Sequence, residues 1–150
     1  MNSSIDLPDE CASEQMAKRM ASCLIAPLVL TFSGDIGAGK TFFIRAILRA
    51  LGVQSAIKSP TFSLVESYQP GGLQIHHFDL YRIHNAEELD YIGFRDYFAE
   101  NAVCCIEWPQ RITLDKVDIA FTLALKGAGR ELHANALSSA GVEILRCMQS

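Results

Sequence analysis

A chain of 150 residues, 49% hydrophobic and 20% charged, is long enough to bury about 68–70% of its unfolded surface and has a globular rather than a disordered composition. No apolar stretch approaches the roughly 20 residues that cross a bilayer, and Met1–Glu10 is polar and acidic without a secretory pattern, so no membrane span and a cytoplasmic setting are expected. With 13 basic against 17 acidic residues and a net charge of −4, an autonomous grip on nucleic acid is disfavoured. The cysteines are Cys11, Cys23, Cys104, Cys105 and Cys147; their odd number and the absence of Cys-x-x-Cys spacing predict reduced thiols that behave as small hydrophobes.

In chain order, Asp9 is placed to cap a helix whose apolar residues Met16, Met20, Cys23 and Leu24 share one face, ending before Pro27. Leu28-Val29-Leu30-Thr31-Phe32 reads as a strand buried on both sides. A glycine-rich loop, Gly34 to Gly39, leads into a second helix marked by Phe43, Ile44, Ile47, Leu48 and Leu51, with Arg45 and Arg49 on its wet side and Gly52 as a stop. Phe62–Tyr68 and Leu73–Phe78 flank Gln69-Pro70-Gly71-Gly72, which predicts an antiparallel hairpin. A helix starts near Asn85, a second short one covers Arg95–Phe98, and Ala102–Ile106 is another doubly buried strand. Val117–Leu125 and Glu131–Leu137 follow as a pair, and a terminal helix runs from Ser138 or Ser139 to about Met148. This order predicts an α/β fold occupying residues 1–150 as one domain: a three-layer arrangement with a mixed, mainly parallel central sheet and antiparallel hairpins.

Gly34-Asp35-Ile36-Gly37-Ala38-Gly39-Lys40-Thr41 fits the phosphate-loop pattern G-x-x-x-x-G-K-[ST] at every defined position. The chemistry needs that spacing. Glycines admit positive φ and bring backbone amides close to phosphate oxygens, and the following helix adds its positive N-terminal end there. Lys40 is expected to reach the β- and γ-phosphates, and Thr41 to offer its hydroxyl to Mg²⁺. Two strand ends supply acids, Asp79 and Glu107, and the more apolar strand before Glu107 is expected beside the loop's own strand.

Ser59-Pro60-Thr61 lies where a switch segment would sit; Thr61 is either a sensor of Mg²⁺ or γ-phosphate, or a strand-start residue satisfying its own backbone. His76 and His77 point to opposite faces of one strand and read as packed residues, not as a metal pair. Trp108 is either packing or an aromatic lid against a nucleotide.

Taken together, these residues resemble the TsaE (YjeE) family of P-loop ATPases of bacterial tRNA threonylcarbamoyladenosine synthesis. The resemblance is carried by the loop, by Ser59-Pro60-Thr61-Phe62, by Leu64-Val65-Glu66 with Tyr68, and by His77-Phe78-Asp79-Leu80-Tyr81-Arg82. Glu87-Glu88-Leu89 and Ile106-Glu107-Trp108-Pro109 complete it. It implies a small cytoplasmic ATPase acting with TsaB and TsaD, which together modify N6 of adenosine 37 in tRNAs decoding ANN codons. It further implies Thr41 and Glu107 as magnesium positions, Lys40 as phosphate clamp and Asp79 as the acid near the attacking water. Nucleotide contacts are implied for Asp35, Ile36, Gly37, Ala38, Gly39, Phe42, Trp108 and Arg130. Phe42 stands where the family usually has a second Thr, and Gln15 and Met16 where a Thr often begins the first-helix pattern.

The function expected is therefore Mg²⁺-dependent ATP binding and hydrolysis, slow in the isolated chain because no arginine-rich lid is recognisable to exclude water or counter phosphoryl charge. No Asn-Lys-x-Asp guanine motif is present. The alternative is a nucleotide-gated assembly module in which hydrolysis is incidental; tRNA would be reached only through the partners.

Overall fold

The computed structural model describes residues 1–57, 60 and 64–150. The strands are β1 (Asn2–Leu7), β2 (Leu28–Ser33), β3 (Val65–Tyr68), β4 (Gln74–Asp79), β5 (Ala102–Glu107), β6 (Ile119–Lys126) and β7 (Gly129–Ala136). The helices are α1 (Glu10–Cys23), α2 (Lys40–Ala50), α3 (Glu87–Asp90), α4 (Phe94–Ala99) and α5 (Ser139–Gln149). Among the described residues the strands join one seven-stranded sheet in the order β1-β7-β6-β2-β5-β4-β3. The four central strands, β6-β2-β5-β4, are parallel, and antiparallel pairs flank them at both ends. This is the mixed α/β sheet expected from the order of elements.

The doubly buried strands follow from their apolar runs. In β2, Leu28, Leu30 and Phe32 face one side and Val29 the other. The first side is closed by α1, α2 and α5 through Met20, Phe43, Ile44, Ile47, Leu145 and Met148. There Phe32 stacks on Phe121 with ring centroids 5.2 Å apart; full burial of such a side chain contributes about 1.5–3 kcal/mol. The second side is closed by α3 and α4, where Phe78 meets Phe94 and Tyr97 edge-on at 5.1 and 5.2 Å. Cys104 and Cys105 fall on opposite sides, as strand alternation requires. Asp9 caps α1, its carboxylate accepting from Ala12 N–H at 2.8 Å, and Ser138 caps α5 in the same way at Gly141.

One expectation is corrected. The thiols are not all reduced: Cys23 and Cys147 form a disulfide, with Cα atoms 5.9 Å apart. The reason is packing, because α1 and α5 lie side by side on one face and end close together. Bridging positions 124 residues apart restricts the unfolded chain, by about 4–5 kcal/mol in the chain-entropy model. Ahead of α1, Asn2–Leu7 is an edge strand, antiparallel to β7 from Asn2↔Asn135 to Leu7↔Arg130. Among the described residues no helix is long and apolar enough to cross a membrane.

Candidate functional site

The carboxyl ends of β2, β4 and β5 meet the amino end of α2, and a cleft of about 620 Å³ opens there. That is an ordinary size for a small-ligand site. The loop from β2 to α2 holds Gly34, Gly37 and Gly39 at φ of 141°, 83° and 101°. Gly39 is the left-handed residue before α2, and no side chain caps that helix. The first amides of α2 therefore face the cleft with the helix dipole behind them, an arrangement suited to anions.

Lys40 folds back into the loop, its ammonium donating to the carbonyls of Gly34 at 2.5 Å and Asp35 at 3.0 Å. The same ammonium lies 4.4 Å from the centroid of Trp108. Burial pulls the Lys40 ammonium below the ordinary lysine value, against Glu107, Asp79 and Asp35, whose charges favour the cation. Trp108 itself sits at φ 59°, just past β5, and tilts against Tyr81 at 4.9 Å. It is half-buried beside the loop's lysine, on the cleft wall.

Thr41 and Glu107 are brought together across the cleft floor. The threonine hydroxyl lies 2.9 and 3.1 Å from the two carboxylate oxygens, to which it donates. Glu107, 2% exposed, also has Oε2 at 2.6 Å from Nε2 of the fully buried His77. Asp79 is its direct cross-strand neighbour in the parallel β4–β5 ladder and accepts from Tyr81 N–H at 3.1 Å. Adjacent carboxylate and hydroxyl oxygens are the hard donors that Mg²⁺ prefers, so this residue set fits that ion.

Arg130 reaches from β7 and braces the loop, donating to Ala38 O at 3.0 Å and Gly37 O at 3.3 Å. Ile36 and Phe42 are exposed on the cleft rim. Asp35 takes part through its carbonyl, which also accepts from Ala38 N–H at 3.0 Å. Every residue expected at the site is thus at the cleft or bonded to its loop, except Thr61, which lies outside the described residues.

Reading the sequence missed three contributors. His77 reads in the sequence as a packed residue, although strand alternation already places it on the side of Asp79. Tyr81 supports Trp108. The first turn of α1 lines the cleft through Asp9, Glu10 and Ser13, one turn before Gln15 and Met16.

Fold and cleft together define an α/β protein of the P-loop class. The chain is similar in fold to the crystal structure of YdiB from Bacillus subtilis, with a TM-score of 0.83 over 99% of this chain and 95% of that one, at 23% identity. Residues 7–132 match the family model described as "Threonylcarbamoyl adenosine biosynthesis protein TsaE". The tRNA threonylcarbamoyladenosine biosynthesis protein TsaE of Haemophilus influenzae is 36% identical over 146 residues, 93% of this chain and 92% of the relative. The protein of the same name from Bacillus subtilis is 34% identical over 122 residues, 81% and 75% of the two chains. The chain belongs to the TsaE family.

Proposed function

We propose that this chain binds Mg-ATP in the cleft and hydrolyses it slowly on its own, in support of a TsaB–TsaD complex that threonylcarbamoylates N6 of adenosine 37 in ANN-decoding tRNAs. A cytoplasmic setting, where tRNA is modified, belongs to the same proposal. The observation that carries it is the contact of Thr41 with Glu107 at the start of α2, beside a lysine folded into a complete phosphate loop.

In this reading the loop amides and Lys40 hold the β- and γ-phosphates, and Thr41 and Glu107 hold the metal. Magnesium, when bound, neutralises charge on the β- and γ-oxygens. Asp79, at the end of β4, orients the water that attacks the γ-phosphorus as the bond to the bridging oxygen breaks. Trp108 and Tyr81 wall the cleft, and Arg130 keeps the loop carbonyls turned away from the phosphates. Lys40 lies under the charges of Glu107, Asp79 and Asp35 and Arg130 is engaged by the loop carbonyls of Ala38 and Gly37, so little positive charge is left over for the transferring phosphoryl. That balance supports weak intrinsic turnover.

The test separates three readouts: ATP binding, co-purification with TsaB and TsaD with and without Mg-ATP, and tRNA modification in the reconstituted system. Glu107→Ala and Asp79→Ala are expected to abolish hydrolysis and modification, with Asp79→Ala still binding ATP. Full modification by a hydrolysis-dead variant that binds ATP would replace the enzymatic reading with a nucleotide-gated assembly module. Rapid single-turnover hydrolysis by the isolated chain would refute the expected dependence on partners.

A further inference from the structure

We infer that His77 is a positioning residue for the metal carboxylate: it fixes Glu107 by one oxygen so that the other is presented, beside the Thr41 hydroxyl, to the divalent cation. The inference rests on the Mg-nucleotide reading above. His77 is fully buried on β4, facing the same side of the sheet as Ile75 and Asp79, while His76 and Phe78 face α4. Its register partner on β5 is Cys105, two residues before Glu107, so the imidazole lies diagonally across from the carboxylate. Nε2 is 2.6 Å from Oε2 of Glu107, whereas Oε1 is the oxygen closer to Thr41.

The ring's other nitrogen identifies the donor. Nδ1 is buried and has no hydrogen-bond partner among the described residues. A proton there would be a buried donor without an acceptor, which is costly; a bare lone pair costs less. The proton therefore sits on Nε2, and His77 donates to Glu107. A residue wanted only for filling would leave this imidazole unexplained, since a leucine or phenylalanine fills a strand position in a core without an unpaired nitrogen. Outer hydrogen-bond partners of metal-holding carboxylates set their orientation, and losing one typically costs 10–100-fold in metal affinity.

The experiment compares wild type, His77→Gln, His77→Asn and His77→Leu as full chains. ATP affinity is measured by calorimetry in EDTA and in excess magnesium chloride, and the ratio of the two is the readout. The metal-free affinity reports whether fold and loop are intact, so a general structural defect moves both values and leaves the ratio alone. The glutamine amide can place an N–H near the position of Nε2; the asparagine amide, one methylene shorter, cannot. Glutamine is expected to keep the wild-type ratio within about threefold, while asparagine and leucine lower it by roughly tenfold. Should leucine fail to fold, the two amides still decide the matter, since they are equally polar. An undiminished ratio in asparagine would overturn the inference, as would a loss in glutamine equal to that in asparagine. No magnesium-dependent gain in the wild type would instead sink the magnesium reading itself.

Discussion

Gly34, the first glycine of the phosphate loop, is fixed by the neighbouring strand more than by any ligand, and Gly34→Ala tests this. A Cβ there would lie 2.4 Å from the backbone oxygen of Leu123 on β6 and 3.3 Å from Cβ of Ala38. The first distance is about 1 Å inside an ordinary carbon–oxygen contact, and the atom in the way is backbone within a paired strand, which cannot rotate aside. The φ of +141° adds a conformation that L-residues rarely adopt. Backbone strain costs about 1–3 kcal/mol and overpacking of a tight site about as much again, giving about 2–6 kcal/mol against a total stability of about 5–15 kcal/mol. Gly37 is the control: its φ is +83°, but nothing lies within 4 Å of an added Cβ. Gly37→Ala therefore carries the conformational cost alone, about 1–2 kcal/mol. Urea unfolding followed by circular dichroism measures both. With a slope of about 2 kcal/mol/M, a loss of about 4 kcal/mol moves the midpoint by about 2 M. If the loop swings away to relieve the clash, part of the loss transfers to ATP affinity, because the Gly34 carbonyl is what Lys40 holds. A Gly34→Ala protein no less stable than Gly37→Ala, and binding ATP as well as wild type, would refute the reasoning.

Two further predictions lie away from the cleft. Asp118 is fully buried at the start of β6, accepting from Val29 N–H at 2.8 Å and from the Ser138 hydroxyl at 2.6 Å. Asp118→Ala orphans a buried amide and loosens the cap of α5, so urea unfolding should show a loss of about 3–5 kcal/mol; Asp118→Asn, which can keep the amide bond, should lose less than half of that, and equal losses would contradict the account. Burial pushes the Cys104 thiol up to about 12 and the Cys105 thiol further, while Cys11 is exposed. Iodoacetamide at pH 8 should therefore modify Cys11 alone in the native protein, as read by mass spectrometry; carbamidomethylation of Cys104 or Cys105 at the rate of Cys11 would contradict it.

What the sequence reveals here follows how locally each feature is encoded. The loop, its flanking strand and α2 are written in contiguous residues, because each phosphate-facing group is set by its neighbours in the chain. Asp79 and Glu107 are legible as acids ending apolar strands; that they stand side by side depends on β4 and β5 being adjacent and in register, which no local pattern states. His77 shows the same limit more sharply. Its face is readable from alternation, yet its partner lies 30 residues away and is reached diagonally. β1 escapes detection because an edge strand with one wet face needs only Ile5 and Leu7 as apolar contacts, and its Asn, Ser and Asp residues otherwise read as loop. The Cys23–Cys147 bridge is invisible for a topological reason: it depends on where two helices end relative to each other.

Charge ties the site to the rest of the molecule. Among the described residues lining the cleft, Lys40 and Arg130 are set against Asp79 and Glu107, and the start of α1 adds Asp9 and Glu10. By these residues the wall is net negative, and a triphosphate alone would be favoured there by Lys40, the loop amides and the end of α2. A divalent cation held by Thr41 and Glu107 would add two positive charges there, so nucleotide affinity in the proposed function should depend on metal. The same arithmetic extends outward. The chain carries −4 overall, and Lys40 and Arg130, the cations of the cleft among the described residues, are already engaged with loop carbonyls. A polyanion such as tRNA gains little from such a surface, since its affinity comes from releasing counterions to lysines and arginines. The proposed role therefore assigns the grip on tRNA to TsaB and TsaD, and leaves this chain the nucleotide chemistry.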